Sequence, residues 1–127
     1  MDRIWIGLAA LSGAGATAAD IAARHLLAAF PVRADYALIG ARFGYVHALA
    51  LLAIGLLSLQ LAPQRRPWLA ASGWCFALGQ TLFSGSLYLI AAGLAPWSGR
   101  LTVPGLILLF VGWLSLFLHA LTLKPTK

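Results

Sequence analysis

The chain contains no glutamate and has little charge of either sign. Charged residues make up 9% of its 127 residues, whereas 61% are hydrophobic. A soluble domain normally carries about 25% charged residues, so water alone could not solvate a surface built from this composition. The composition therefore excludes an ordinary soluble domain and predicts an integral membrane protein.

Cysteine and recognisable catalytic motifs are also scarce. Cys75 is the only cysteine and lies within an apolar run, which excludes an intramolecular disulfide and a cysteine-based metal cluster. The sequence has no GxSxG motif, no HExxH motif and no glycine loop of the phosphate-binding type. We therefore expect no catalytic residues, no metal site and no enzymatic activity.

The charge that is present is mostly positive. Nine Lys and Arg residues against three Asp residues give a formal net charge of +6. The basic residues lie beside the apolar runs and form no basic face with interleaved aromatic residues, so nucleic acid is not an expected partner. We expect the basic residues to anchor helix ends among anionic headgroups and to set orientation. The expected partners are the lipid bilayer and other membrane protein subunits.

Four apolar segments are long enough to cross a bilayer, which takes about 20 residues. They predict a single all-α domain over residues 1–127, an up-down bundle of four transmembrane helices. The expected helices cover about residues 4–29, 37–62, 68–93 and 101–123. The connections are expected at "PVRADY" (31–36), "PQRRP" (63–67) and "APWSGR" (95–100), with Pro31 ending the first helix.

Basic residues near the helix ends predict the orientation in the membrane. With four crossings, both termini and the 63–67 connection share one side, which carries five basic residues against four on the other. They are Arg3, Arg65, Arg66, Lys124 and Lys127 on the first side, and Arg24, Arg33, Arg42 and Arg100 on the second. The excess of one predicts that both termini are cytoplasmic.

Small residues recur at helical spacing along the apolar segments. The stretch "LFSGSLYLIAAG" from Leu82 to Gly93 places Gly85 in line with other small residues one, two and three turns earlier. Helices in lipid associate through close backbone approach and polar contacts, so we predict helix packing at Gly40, Gly44, Gly73, Ala77, Thr81, Ser84, Gly85 and Ser86. The two serine hydroxyls can bond within their own helix or across to a neighbour.

The distribution of small residues also predicts which helices pack together. Helices one, two and three are expected to pack closely, while the bulkier helix four shows more surface to lipid or to a partner. Gln80, the strongly polar side chain in the middle of helix three, is expected to form a cross-helix hydrogen bond.

Polar residues are predicted to gather at one membrane face. Asp20, Arg24 and His25 end helix one, and Arg42 and His47 fall in the first turns of the predicted helix two. Charged residues within spans are costly and often functional. Three interpretations stay open for this group: an interfacial ion-pair lattice, a site for a quinone or a lipid headgroup, and a contact with a larger membrane protein.

The third segment carries a resemblance to a known family. "ALGQTLFSGSLYLIA" (Ala77–Ala91) resembles the signature of the small YgdD-like membrane proteins, the domain-of-unknown-function 423 family, and "HALALLAIGLL" from His47 is similar to a second motif. His25 matches a histidine that ends the family's first motif. The resemblance implies a multi-pass protein of the bacterial inner membrane with four helices, and it implies no activity.

Three functional hypotheses follow. The leading one is a non-catalytic accessory or assembly subunit of a larger membrane complex, for which a respiratory complex is one candidate. The second is a protein that binds a quinone or a lipid at the Asp20–His47 face, in which case that molecule would be its ligand; no other cofactor is expected. The third is a small oligomeric transporter.

Overall fold

The computed structural model describes residues 2–61 and 67–123. In this part of the chain, four long helices follow one another: α1 (Asp2–His25), α2 (Pro31–Gln60), α3 (Pro67–Ala92) and α4 (Thr102–Thr122). The shortest has 21 residues and extends ~31 Å, about the thickness of the hydrocarbon core. All four are long and apolar enough to cross a membrane. The prediction of an all-α membrane protein with four spanning helices is confirmed.

The connection between α1 and α2 differs from the prediction. Helix α1 ends at His25 instead of residue 29, and the turn that follows is short. Pro31 was expected to end the first helix, but it is the first residue of α2. The segment "PVRADY", expected to be a connection, is helical. Proline suits the first helical position because its missing N–H would have no intrahelical partner there. This difference adds six residues to the start of α2.

Arg33, within this added segment, caps the end of α3. Its Nε donates a hydrogen bond of 2.6 Å to the carbonyl oxygen of Ala91. Gly93 follows α3 with φ +75°, and the N–H groups of Gly93 and Leu94 bond to carbonyls of the last turn. This is a Schellman arrangement, in which glycine adopts the left-handed conformation at no steric cost. A guanidinium at a helix C-terminus also complements the helix dipole.

The connection between α3 and α4 is also ordered. A short 3₁₀ helix covers Pro96–Leu101, where the sequence predicted a connection without specifying its conformation. Ser98 is fully buried in it, and its one hydroxyl hydrogen is shared between the carbonyl oxygens of Ala95, 2.6 Å from Oγ, and Ser86, 3.0 Å from Oγ. The short helix is therefore held against α3 by a buried hydroxyl.

The helices pack mainly in chain order. Helix α1 packs on α2, α2 on α3, and α3 on α4, whereas α1 and α3 touch at few points. This differs from the expectation that helices one, two and three pack closely with one another. The buried core includes large side chains from all four helices, among them Trp5, Leu51, Phe76 and Leu109.

Glycines allow the closest contacts between helices. A Cβ added to Gly44 would lie 2.8 Å from the Cβ of Ala16, and one added to Gly40 would lie 2.6 Å from the ring of Tyr88. A Cβ on Gly105 would lie 2.6 Å from the backbone nitrogen of Phe83. Helix α4 therefore approaches α3 backbone to backbone at one crossing, although its outer side is bulky as expected.

Candidate functional site

The structure does not bring the five predicted polar residues together. Asp20 and Arg24 form an ion pair on one face of α1, with Nη2 of Arg24 3.2 Å from Oδ1 of Asp20. The pair is partly exposed, as expected for an i, i+4 contact at the end of a helix. His25 is exposed in the same last turn, and Arg42 is exposed on α2.

His47 is buried far from this pair. Because α2 begins at Pro31, His47 lies ~24 Å along the helix from its start, near the middle of the span. Gly13 faces Ala48 across the α1/α2 contact, which places His47 at the depth of the middle of α1, ~16 Å along the axis from Arg24. The expectation that His47 lies in the first turns of helix two is wrong, and the cause is the helical conformation of residues 31–36.

The two ring nitrogens of His47 both have partners. Its Nδ1 lies 2.8 Å from the carbonyl oxygen of Phe43, which requires that this nitrogen carries the proton. Its Nε2 then accepts a hydrogen bond of 3.3 Å from the indole N–H of Trp113. The ring of Phe76 lies 5.3 Å away. His47 thus joins α2 to α4 inside an aromatic cluster and is 3% exposed.

The small residues of α3 have different surroundings. Ser84 donates a hydrogen bond of 2.9 Å to the carbonyl oxygen of Gly40 on α2, whereas Ser86 bonds to Phe83 on its own helix. Gly73 lies against the ring of Trp5, so it takes part in helix packing. Gly85 does not, because a Cβ added to it would meet no described atom within 4 Å.

Gly85 faces a groove between α1 and α3, below called the α1/α3 groove. Its cavity has a volume of about 440 Å³. One wall comes from α1 and the other from α3, and Leu51 of α2 contributes to the lining. The lining residues are Leu8, Leu11, Ser12, Gly15, Leu51, Trp74, Ala77, Leu78, Gln80, Thr81, Ser84, Gly85 and Tyr88. Thr81, predicted to pack against a helix, is exposed here and bonds to Ala77 on its own helix.

Two buried polar atoms belong to residues of this groove. Oε1 of Gln80 and the hydroxyl of Tyr88 have no hydrogen-bond partner within the described part of the chain. The expected cross-helix bond of Gln80 is thus not formed by its carbonyl oxygen. Buried polar atoms usually have a partner, so these two distinguish the groove from an ordinary gap between helices. The signal in the sequence was the isolated polar residue Gln80, which we assigned to a cross-helix hydrogen bond.

Other polar residues form no comparable site. His119 is buried near the end of α4, and neither ring nitrogen has a hydrogen-bond partner among residues 3–61 and 67–123. Cys75 has a free, half-buried thiol. In the described ranges, His, Cys, Asp and Glu side chains form no group of three that could hold a metal ion.

A comparison with known proteins gives one match. The family model described as a protein of unknown function (DUF423) matches residues 14–106. No curated protein and no solved structure matches the chain. The match covers most of the chain, from the middle of α1 to the start of α4. The chain therefore belongs to the DUF423 family.

Proposed function

We propose that this protein is a non-catalytic accessory subunit that docks on another membrane protein through the outer face of α1. We also propose that it resides in a bacterial inner membrane with both termini cytoplasmic, as the one-residue excess of Lys and Arg favours. The proposal depends on a contrast between the two helices at the edges of the molecule, α1 and α4.

The outer face of α1 carries a row of small residues, although Ile4, Leu11 and Ile21 are exposed on this helix as well. Gly7, Ala10, Ala14 and Ala18 are all exposed there and recur at intervals of three or four residues. Helices in a membrane associate through such faces because small side chains permit close backbone approach. This spacing favours a helix as the neighbour of α1.

The outer face of α4 has the opposite character. Leu106, Phe110, Leu114 and Phe117 are exposed on it, and such bulky side chains make good contact with acyl chains but keep a neighbouring helix at a distance. Lipid is therefore the favoured neighbour of α4, and α1 is the favoured docking edge.

A different protein is favoured over a second copy as the occupant. In a membrane, two copies related by a two-fold axis would place the same side of both α1 helices in contact at the same depth. Arg3 is exposed and falls on the same face as Ala10 and Ala14 at 100° per residue. Two facing Arg3 side chains would repel each other, which disfavours the homodimer.

Native mass spectrometry after extraction in a mild detergent tests this proposal. The wild-type protein is expected in a stoichiometric assembly with a second polypeptide, and Ala14→Leu is expected to reduce that assembly at least tenfold because leucine separates the helices. Ala120→Leu is the matched control, since Ala120 is an exposed alanine of α4. A wild-type protein found only alone or as a homo-oligomer, or an Ala14→Leu variant that assembles as the wild type does, would contradict the proposal.

A further inference from the structure

The α1/α3 groove has the dimensions of a ligand site. It exists because α1 and α3 each pack on α2 but touch one another at few points. From Trp74 to Tyr88 it extends ~21 Å along α3. Its volume of about 440 Å³ lies within the range of about 300–1,000 Å³ that is typical of small-molecule sites.

The depth of the polar atoms in the groove is unusual. Gln80 stands near the middle of α3, which runs from Pro67 to Ala92, and its side chain is 8% exposed. Within the hydrocarbon core, water cannot satisfy its Oε1 or the Tyr88 hydroxyl, and an unpartnered polar group there is costly. Both atoms are buried and lack a partner within the described residues, and the Tyr88 hydroxyl lies beside Gly44 of α2. A rotation of either side chain toward the cavity would give that atom a hydrogen-bond partner in a bound molecule.

The lining of the groove restricts the chemistry of its occupant. Apart from Gln80 and Tyr88, the described lining consists of apolar residues, glycine and hydroxyl side chains, with no Asp, Arg, Lys or His among them. A charged headgroup would enter without a counter-ion, which membrane burial makes unfavourable. Phospholipids and fatty acids also hold their polar groups at the bilayer surface, whereas Gln80 lies near its centre.

We propose that the α1/α3 groove binds an uncharged isoprenoid quinone or its quinol. Such a molecule has a flat ring with oxygen atoms on opposite edges and a long apolar tail. Because it is uncharged and mostly apolar, it dissolves in the centre of a bilayer. The Gln80 amide accepts a hydrogen bond from a quinol hydroxyl through Oε1, or donates to a quinone carbonyl through its NH₂ group after rotation. The Tyr88 hydroxyl can donate or accept, and Trp74 offers an aromatic face for stacking.

This site does not rest on the accessory role. The groove side of α1 carries Leu8, Leu11, Ser12 and Gly15, and the proposed docking face carries Gly7, Ala14 and Ala18. Leu11 is one turn from Gly7 and from Ala14, so the two surfaces adjoin at this residue. The tests stay separate, because assembly with a partner reports on the docking face and saturable quenching by a quinone reports on the groove.

Quenching of tryptophan fluorescence tests the binding of a quinone. The purified full-length protein in detergent is titrated with decylubiquinone, a short-tailed quinone that quenches nearby indoles. We expect saturable quenching, and we expect Trp74→Phe to remove a large part of it because Trp74 lines the groove. Gln80→Leu and Tyr88→Phe each remove one hydrogen bond and are expected to weaken binding by about threefold to tenfold.

Matched controls separate the groove from a general effect of each substitution. Gln60→Leu and Tyr36→Phe make the same chemical changes at exposed positions and are expected to leave the affinity unchanged. Tyr88→Phe keeps the aromatic ring, so it tests the proposal even if Gln80→Leu fails to fold; far-ultraviolet circular dichroism monitors folding. Quenching that rises linearly without saturation, or an unchanged affinity in both groove variants, would overturn the proposal.

Native mass spectrometry of the protein purified from its membrane identifies the natural occupant. An added mass equal to that of a host quinone, lost in Tyr88→Phe and kept in Tyr36→Phe, is the expected result. A phospholipid mass that depends on Tyr88 in the same way would overturn the assignment to a quinone.

Discussion

At the residue scale, His47 shows how a polar side chain becomes part of the core. It is buried near the middle of α2, and its ring bonds to the carbonyl of Phe43 and to the indole of Trp113. The sequence placed His47 in the first turns of helix two, in an interfacial polar group that could be an ion-pair lattice, a site for a quinone or a lipid headgroup, or a contact with a larger membrane protein. The hydrogen bonds to both ring nitrogens instead assign His47 a structural role that joins α2 to α4.

The bond between Trp113 and His47 leads to a prediction about stability. Trp113→Phe leaves Nε2 of His47 without a partner in an apolar setting, and we expect a loss of about 1–2 kcal/mol in the free energy of unfolding. The measurement is denaturant-induced unfolding in detergent micelles. Trp97→Phe is the control, because Trp97 is 66% exposed and its loss should have little effect.

A double-mutant cycle isolates the contact itself. The effects of His47→Leu and Trp113→Phe should not add, because either change already removes the hydrogen bond. We expect a coupling free energy of about 1 kcal/mol. Additive effects, or equal losses from Trp113→Phe and Trp97→Phe, would show that the bond does not stabilise the protein.

At the element scale, α3 connects the α1/α2 pair to α4. It packs on α2 and α4, and Arg33 of α2 caps its C-terminus. Its small residues serve two purposes: Gly79 faces the backbone of α4, and Gly85 faces the α1/α3 groove. The same residue type thus produces a close crossing at one position and an open space two turns away.

The close crossing of α3 and α4 and the open α1/α3 groove predict opposite outcomes for two glycine-to-alanine substitutions. Gly105→Ala places a methyl group 2.6 Å from the backbone nitrogen of Phe83, so α3 and α4 must separate, and we expect a loss of about 1–3 kcal/mol in the free energy of unfolding. Gly85→Ala meets no described atom within 4 Å and replaces a mid-helix glycine, which favours folding by up to about 1 kcal/mol.

Thermal unfolding in the same detergent distinguishes the two variants. A melting temperature below that of the wild type is expected for Gly105→Ala, and one equal to or above it for Gly85→Ala. A large destabilisation by Gly85→Ala would mean that α1 and α3 close on each other at this point and that the groove is not open.

At the scale of the whole molecule, the arrangement of the helices creates two distinct edges. Helix α1 offers small residues on its outer face and one wall of the α1/α3 groove on its inner side, whereas α4 offers bulky side chains to lipid. An asymmetric molecule of this kind suits a subunit that adds to a larger assembly through one edge. The proposed quinone site would lie between that edge and α3.

The proposed orientation can be tested with single cysteines. In a Cys75→Ser background, Ala29→Cys at the α1/α2 connection should react with a membrane-impermeant maleimide in intact cells. Gln60→Cys at the end of α2 should react only after permeabilisation. Both residues are exposed, so access to the reagent decides the outcome. The reverse pattern would place both termini outside the cytoplasm.

The number and nature of the helices were determined by the sequence alone. Four runs of apolar residues with almost no charge are stable only in the bilayer. Each run must be helical there, because every backbone amide in the hydrocarbon core must form its hydrogen bond within its own helix. The predicted spans therefore agree with α1 to α4 to within a few residues at most ends. The start of α2 is the exception. The segment "PVRADY" (31–36) begins with proline and is polar, and such a segment is compatible both with a loop and with the first turns of a helix.

Only the tertiary structure decided which residues meet. Whether His47 is interfacial or buried depends on where α2 begins and on how α1 lies against it, and neither is encoded in local spacing. The α1/α3 groove depends on a gap between two helices that both pack on a third. Apolar periodicity does not specify such a gap, because inside a membrane a side chain that faces lipid and one that faces another helix are equally hydrophobic.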